Sequence, residues 1–206
     1  TGVISFDTGT LDVTTVNLAS VSGSVTLAVT ANGTINVGAG GTLVADSISM
    51  ANVPGTAAGN GTINVNGGAI ICTNSITKAN TGGVGTLAFS GGSLTVVGGT
   101  IGTPAVPIDT ISMSDTTLTL DTAAGVTNAV VTSLVTASAT KNTINISGLP
   151  VLTGYPTQLP LISYGYSVPI GENWDPENYA PIAAYLRQAP VGQISEMPPN
   201  PLRNLN

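Results

Sequence analysis

The sequence predicts an all-β fold, a single-stranded parallel β-solenoid (β-helix) of about five to six coils. Three features point there: a recurring tetrapeptide, glycine-rich corners between short strands, and a composition poor in charge and in helix formers. The tetrapeptides are Val3-Ile4-Ser5-Phe6, Thr34-Ile35-Asn36-Val37, Thr62-Ile63-Asn64-Val65, Thr86-Leu87-Ala88-Phe89, Thr117-Leu118-Thr119-Leu120 and Thr143-Ile144-Asn145-Ile146. Their starts lie about 24 to 31 residues apart, the period of stacked supersecondary units. In each, the second and fourth residues are apolar and the third is small or polar. Strand alternation sends the second and fourth inward and the third to solvent.

Each tetrapeptide opens a larger unit. The first continues into Thr10-Leu11-Asp12-Val13 and Val16-Asn17-Leu18. In the second, Gly40-Gly41 leads into Thr42-Leu43-Val44-Ala45 and then Ser47-Ile48-Ser49-Met50. In the third, Gly67-Gly68 leads into Ala69-Ile70-Ile71-Cys72 and Ser75-Ile76-Thr77-Lys78. The fourth passes Gly91-Gly92 and Ser93-Leu94-Thr95-Val96 and, after an insertion holding Pro104 and Pro107, ends in Thr110-Ile111-Ser112-Met113. Three short strands joined by permissive corners make one turn of a solenoid. Asn-Gly steps such as Asn32-Gly33, Asn60-Gly61 and Asn66-Gly67 serve those corners. They serve tight hairpins equally well, so an antiparallel sandwich is the competing fold.

Set in register, Ile4, Ile35, Ile63, Leu87, Leu118 and Ile144 are expected to form one inward column. Phe6, Val37, Val65, Phe89, Leu120 and Ile146 form the next, and a second wall presents Leu11, Val13, Leu43, Ala45, Ile70, Cys72, Leu94 and Val96. Residues 1–147 are assigned to the solenoid, 148–186 to a Pro/Tyr-rich C-terminal capping segment and 187–206 to an extended Pro-rich tail. Asp175–Leu186 is the best helix candidate, with Asp175 as N-cap and Pro176 at the first helical position.

Composition narrows function. A formal charge of −6 with only four Lys and Arg argues against nucleic acid, which needs clustered cations, and against anionic membrane surfaces. No stretch approaches the roughly 20 apolar residues of a membrane-inserted helix. Histidine is absent, and with it the Ser-His-Asp and Cys-His arrangements. The acidic residues fall in different columns of the aligned coils, and Glu172, Asp175 and Glu177 read as a solvated turn with a helix cap. No catalytic, metal or cofactor site is therefore expected. Cys72, the only cysteine, reads as a small core residue. A threonine array for ice is not expected either. Only Thr117-Leu118-Thr119 and Thr8-Gly9-Thr10 have Thr-x-Thr spacing, and the outward residues Ser5, Asn36, Asn64, Ala88, Thr119 and Asn145 are mixed.

The segment from Asn145 to Pro150, with Gly154-Tyr155-Pro156 and Leu159-Pro160-Leu161-Ile162-Ser163-Tyr164 after it, carries a family likeness. Together with the preceding Gly-Thr-Leu and Gly-Gly-x-Leu units, over about residues 30–165, it resembles bacterial autotransporter-associated β-strand repeat proteins. The resemblance implies an exported, β-helical surface protein with a structural or adhesive role, and no catalytic residues. The start at Thr1 fits a removed export signal or a piece of something larger. A secreted or cell-surface (bacterial) subunit of a filament, sheath or layer is the expected function. A stand-alone adhesin, a carbohydrate-binding module or a phage fibre or decoration subunit is the alternative. The expected partners are further copies of the chain, joined through the tail, and a polysaccharide is a further candidate. The assembly contacts singled out are Val44 and Ile71, which point outward on adjacent coils, and Arg187, Ile194, Met197, Leu202, Arg203 and Leu205 in the tail.

Overall fold

A computed structural model describes residues 1–21, 30–53, 58–79, 82–122, 126–137, 141–151, 158–170 and 184–187, the last group and parts of 158–170 as backbone alone. The described chain is a parallel β-solenoid of about five turns, and no helix occurs among the described residues. Its strands are β1 (Gly2–Leu18), β2 (Thr30–Met50), β3 (Ala58–Asn66), β4 (Ala69–Cys72), β5 (Ile76–Lys78), β6 (Val84–Ser90) and β7 (Ser93–Val96). They continue with β8 (Ile108–Ser114), β9 (Thr117–Asp121), β10 (Ala129–Ala137), β11 (Thr143–Gly148), β12 (Gln158–Ile170) and β13 (Ala184–Arg187). Every strand pairing is parallel except β12 with β13. Parallel neighbours need a long crossover between them, so the hairpin sandwich does not form.

The first wall stacks Ile4, Ile35, Ile63, Leu87, Ile111 and Leu134 in one column, and Phe6, Val37, Val65, Phe89 and Met113 in the next. The second wall stacks Leu11, Leu43, Ile70, Leu94, Leu118 and Ile144 beside Val13, Ala45, Cys72, Val96, Leu120 and Ile146. The third runs Val16, Ile48, Ile76, Ile101, Ala129 and Ile162, where Ile101 joins by single bridges rather than a full strand. Between the ends the inward residues are buried. Each such side chain contributes about 1.5–3 kcal/mol before entropy is counted.

Two sequence expectations are corrected. Leu118, Leu120, Ile144 and Ile146 stand in the second wall, while Ile111 and Met113 continue the first. The cause is that both walls share one alternation, and the usual corner marker is missing before Thr117. Gly67 and Gly91 turn that corner at φ +79° and +77°, a left-handed conformation open to glycine. In the next coil Asp115 makes the turn at φ 52°, as Asp tolerates. Its carboxylate accepts a hydrogen bond from the Lys141 backbone N–H at 2.9 Å. The second correction concerns the helix candidate Asp175–Leu186. Ala184–Leu186 lie in β13, antiparallel on the edge of β12, and residues 175–183 lie outside the described residues.

Replacing Ile63, fully buried in the first wall, with Asp is expected to abolish cooperative folding, because it strands a charge inside stacked hydrocarbon. Asn64→Asp, one residue away on the outer face, is expected to cost about 1 kcal/mol through a lost ladder bond. Thermal melts of the two variants check the register, and equal melting temperatures refute it.

Candidate functional site

Four features stand apart from a uniform solenoid. The first is its open end. Among the described residues β1 pairs on one side alone, with β2, so one edge of a 17-residue coil faces outward. Val3 is 61% and Ile4 51% exposed. Phe6, Leu11 and Val13, which head buried columns, are half-buried. Clefts of about 410 and 320 Å³ border this edge, the first lined by Ile4, Leu18 and Ala19 and the second by Ile4, Phe6 and Leu11. The same coil exposes two carboxylates, Asp7 and Asp12, and carries no Lys or Arg.

The second is a small apolar patch. Val44 and Ile71 are partners on adjacent coils and both point outward from the second wall, with Ile71 37% exposed. The structure thus brings these two assembly candidates together. The Arg187 backbone pairs with Gln158 in β13. Ile194, Met197, Leu202, Arg203 and Leu205 lie outside the described residues, as do Glu172, Asp175 and Glu177.

The third is an ion pair that the sequence reading missed. Lys78 enters at an inward position of the third wall and has its side chain 4% exposed. Its Nζ donates to both Asp109 oxygens, at 2.9 and 2.8 Å, and to the Gly83 carbonyl at 2.9 Å. Asp109 Oδ2 also accepts the Gly85 N–H at 2.7 Å. The signal was present: in Ser75-Ile76-Thr77-Lys78 the alternation places Lys78 on the same face as Ile76, and a buried ammonium requires a carboxylate. The ammonium's three donors are all used, so the pair seals a corner of the core. It is not poised to attack a substrate.

The fourth is the outer face of the first wall. Thr34, Thr62, Thr86 and Thr110 stack as one column. Beside it run Ser5, Asn36, Asn64, Ala88 and Ser112. Asn64 Nδ2 donates to Asn36 Oδ1 and Asn36 Nδ2 to Ser5 Oγ, each at 2.8 Å, while Asn60 Nδ2 donates to Asn32 Oδ1 at 2.9 Å. The sequence reading looked for Thr-x-Thr pairs along one strand; the threonines repeat instead across coils, at the first outward position, with Val3 and Ser133 at the two ends of the row.

Among the described residues no three His, Cys, Asp or Glu side chains gather as a metal site would need. Burial pushes the Cys72 thiol up from its ordinary pKa of 9.0, and burial also raises Tyr164. No family model, curated protein or solved structure matches this chain. The fold and its surfaces therefore carry the functional argument.

Removing one member of the buried pair, by Lys78→Ala or Asp109→Ala, is expected to cost about 3–5 kcal/mol. The Lys78→Met/Asp109→Leu double variant is expected to regain most of that in denaturant melts. The Cys72 thiol should resist iodoacetamide in the native protein and react on unfolding, read by intact mass. A folded-state thiol pKa above the unfolded one contributes stability below pH 9 that is lost as pH rises through the folded value.

Proposed function

We propose that this protein is a non-enzymatic structural subunit of an extracellular, self-assembling filament, sheath or layer, built by head-to-tail contacts between copies. The observation that carries this reading is the first coil, whose β1 pairs on one side alone among the described residues and leaves Val3 and Ile4 exposed. An unpaired edge is a template for an added strand. The tail of a neighbouring copy has the chemistry to occupy it. Pro190, Pro198, Pro199 and Pro201 favour an extended backbone and lower the entropy lost on docking. Ile194, Met197, Leu202 and Leu205 provide apolar anchors, and Arg203 a cation for the Asp7 and Asp12 side of the coil. Such a contact is heterologous and propagates as a fibre when the rotation does not close. The Val44–Ile71 patch supplies a lateral contact in the same scheme. The extracellular setting rests on the resemblance to autotransporter-associated repeats and on the low charge of the chain.

Truncation after Arg187, which keeps β13, tests the reading. The shortened protein should retain its far-ultraviolet dichroism and melting temperature and stay monomeric in sedimentation velocity, while the full chain forms fibres or sheets under the electron microscope. Ile4→Lys should block assembly in the same way. Polymerisation of the truncated protein, or a full chain monomeric at high concentration, refutes the tail as the coupling element.

A further inference from the structure

We propose that the outer face of the first wall is an ice-binding surface, separate from the end-to-end contacts and independent of them. Its chemistry is a neutral row of threonine hydroxyls beside a row of Asn, Ala and Ser. Thr34, Thr62, Thr86 and Thr110 stack on four consecutive coils with no register shift among β2, β3, β6 and β8. Coils repeat every 4.8 Å or so, and residues two apart along a strand lie about 6.6 Å apart. The hydroxyl repeat is therefore one-dimensional, a single row of four threonines at the coil spacing, flanked two residues along by Asn36, Asn64, Ala88 and Ser112.

Rigidity is built in. Each threonine is β-branched, Thr62 and Thr86 lie between threonines while Val3 and Ser133 flank Thr34 and Thr110, and the amides of Asn36 and Asn64 are tied to one another at 2.8 Å. A surface already ordered loses little entropy when it orders a layer of water or meets a crystal. None of the strand positions 34–37, 62–65, 86–89 and 110–113 is ionisable, so no ion imposes its own hydration shell. Each threonine pairs a hydroxyl, which joins the water network, with a methyl, which settles into its cavities. A flat glycan crystal presents similar hydroxyls, but sugar faces are bound by stacking aromatics, and the one aromatic in these segments, Phe89, points inward and is buried. Over these four coils the threonine row offers hydroxyls and methyls with no outward ring, which suits ice better than a glycan.

The probe is ice itself. The full chain, labelled with a fluorophore at its N-terminus, should be drawn into a growing ice hemisphere and should produce a gap between melting and freezing points. Thr62→Lys and Thr86→Lys, outward changes expected to leave the melting temperature within a few degrees, should each lose most of the gap and be excluded from the ice. Thr119→Lys, on the second wall, should keep both properties. Exclusion of the wild-type protein from ice, equal loss in Thr119→Lys, or unimpaired binding by both first-wall variants overturns the proposal. Retention on crystalline cellulose or chitin with no effect on ice overturns it in favour of a glycan.

Discussion

In-register parallel stacking is the interaction on which everything else in this molecule depends. No coil can bury its apolar face alone, because each coil presents only one or two apolar side chains to each neighbour from any wall. The coil above and the coil below supply the remaining cover, so the stabilisation belongs to the contact between coils. This sets a strict rule on sequence. A residue at an inward position meets the same position one turn away, and Ile35 over Ile63 over Leu87 satisfies the rule with side chains of nearly equal volume. Where the rule is broken, the break must be repaired locally. Lys78 falls in line with Leu18 and Met50, and its charge is answered by Asp109 from the coil two ahead, with the Gly83 carbonyl and Gly85 amide completing the set. The pair exists because an ammonium in that column has no other way to remain inside.

Much of the fold was legible because alternation and corner glycines report different things. Alternation gives the faces of each strand, and Gly67 and Gly91 report where one wall ends and the next begins. Both signals agree over the coils from β1 to β7, and there the expected partners match, from Ile4 with Ile35 to Ile70 with Leu94. They part after the Pro104–Pro107 insertion. Ile101 makes its wall by bridges alone, and Asp115 replaces the glycine at the following corner. With one marker gone, Thr117-Leu118-Thr119-Leu120 fits either wall, since Thr-Leu-x-apolar is common to both. Spacing cannot choose between two walls of identical period; only the partner strand can. The ion pair was hidden for a related reason. Lys78 and Asp109 are 31 residues apart in sequence, more than one coil, so their meeting depends on a register that the insertion had obscured.

The two ends of the solenoid are not equivalent. At the far end β13 lies antiparallel on the edge of β12 at Gln158–Ile162. An antiparallel strand presents a different hydrogen-bond pattern to whatever comes next, so it interrupts the parallel repeat there. At the near end β1 keeps the parallel trace, with its apolar columns unfinished at Ile4 and Leu11. A stack of identical coils has no internal reason to stop, and its length is set by what terminates it. The antiparallel interruption is confined to β12: among the described residues β11 pairs with β9 alone and leaves Ile144 41% exposed, so the second wall keeps a parallel edge at the far end as well.

Stacking also decides what the outer surface can be. A column that must match for the sake of the core forces the strands into register, and the outward residues between core positions then line up whether or not they touch. A single hydroxyl in a loop is a solvated group; four of them, Thr34, Thr62, Thr86 and Thr110, held in line by the Ile35–Ile63–Leu87–Ile111 column beneath, form a surface with a fixed period. Its precision derives from the interior. The outward second-wall column, Asp12, Val44, Ile71, Thr95, Thr119 and Asn145, has the same spacing but mixes a charge, two aliphatic groups and polar groups. The difference lies in continuity: the first wall holds threonine on four consecutive coils, whereas the corresponding second-wall row, Thr10, Thr42, Ala69, Ser93, Thr117 and Thr143, is interrupted by Ala69 and Ser93. The core that fixes both faces constrains only the inward positions, so the outward residues of each wall can vary without disturbing the stacking.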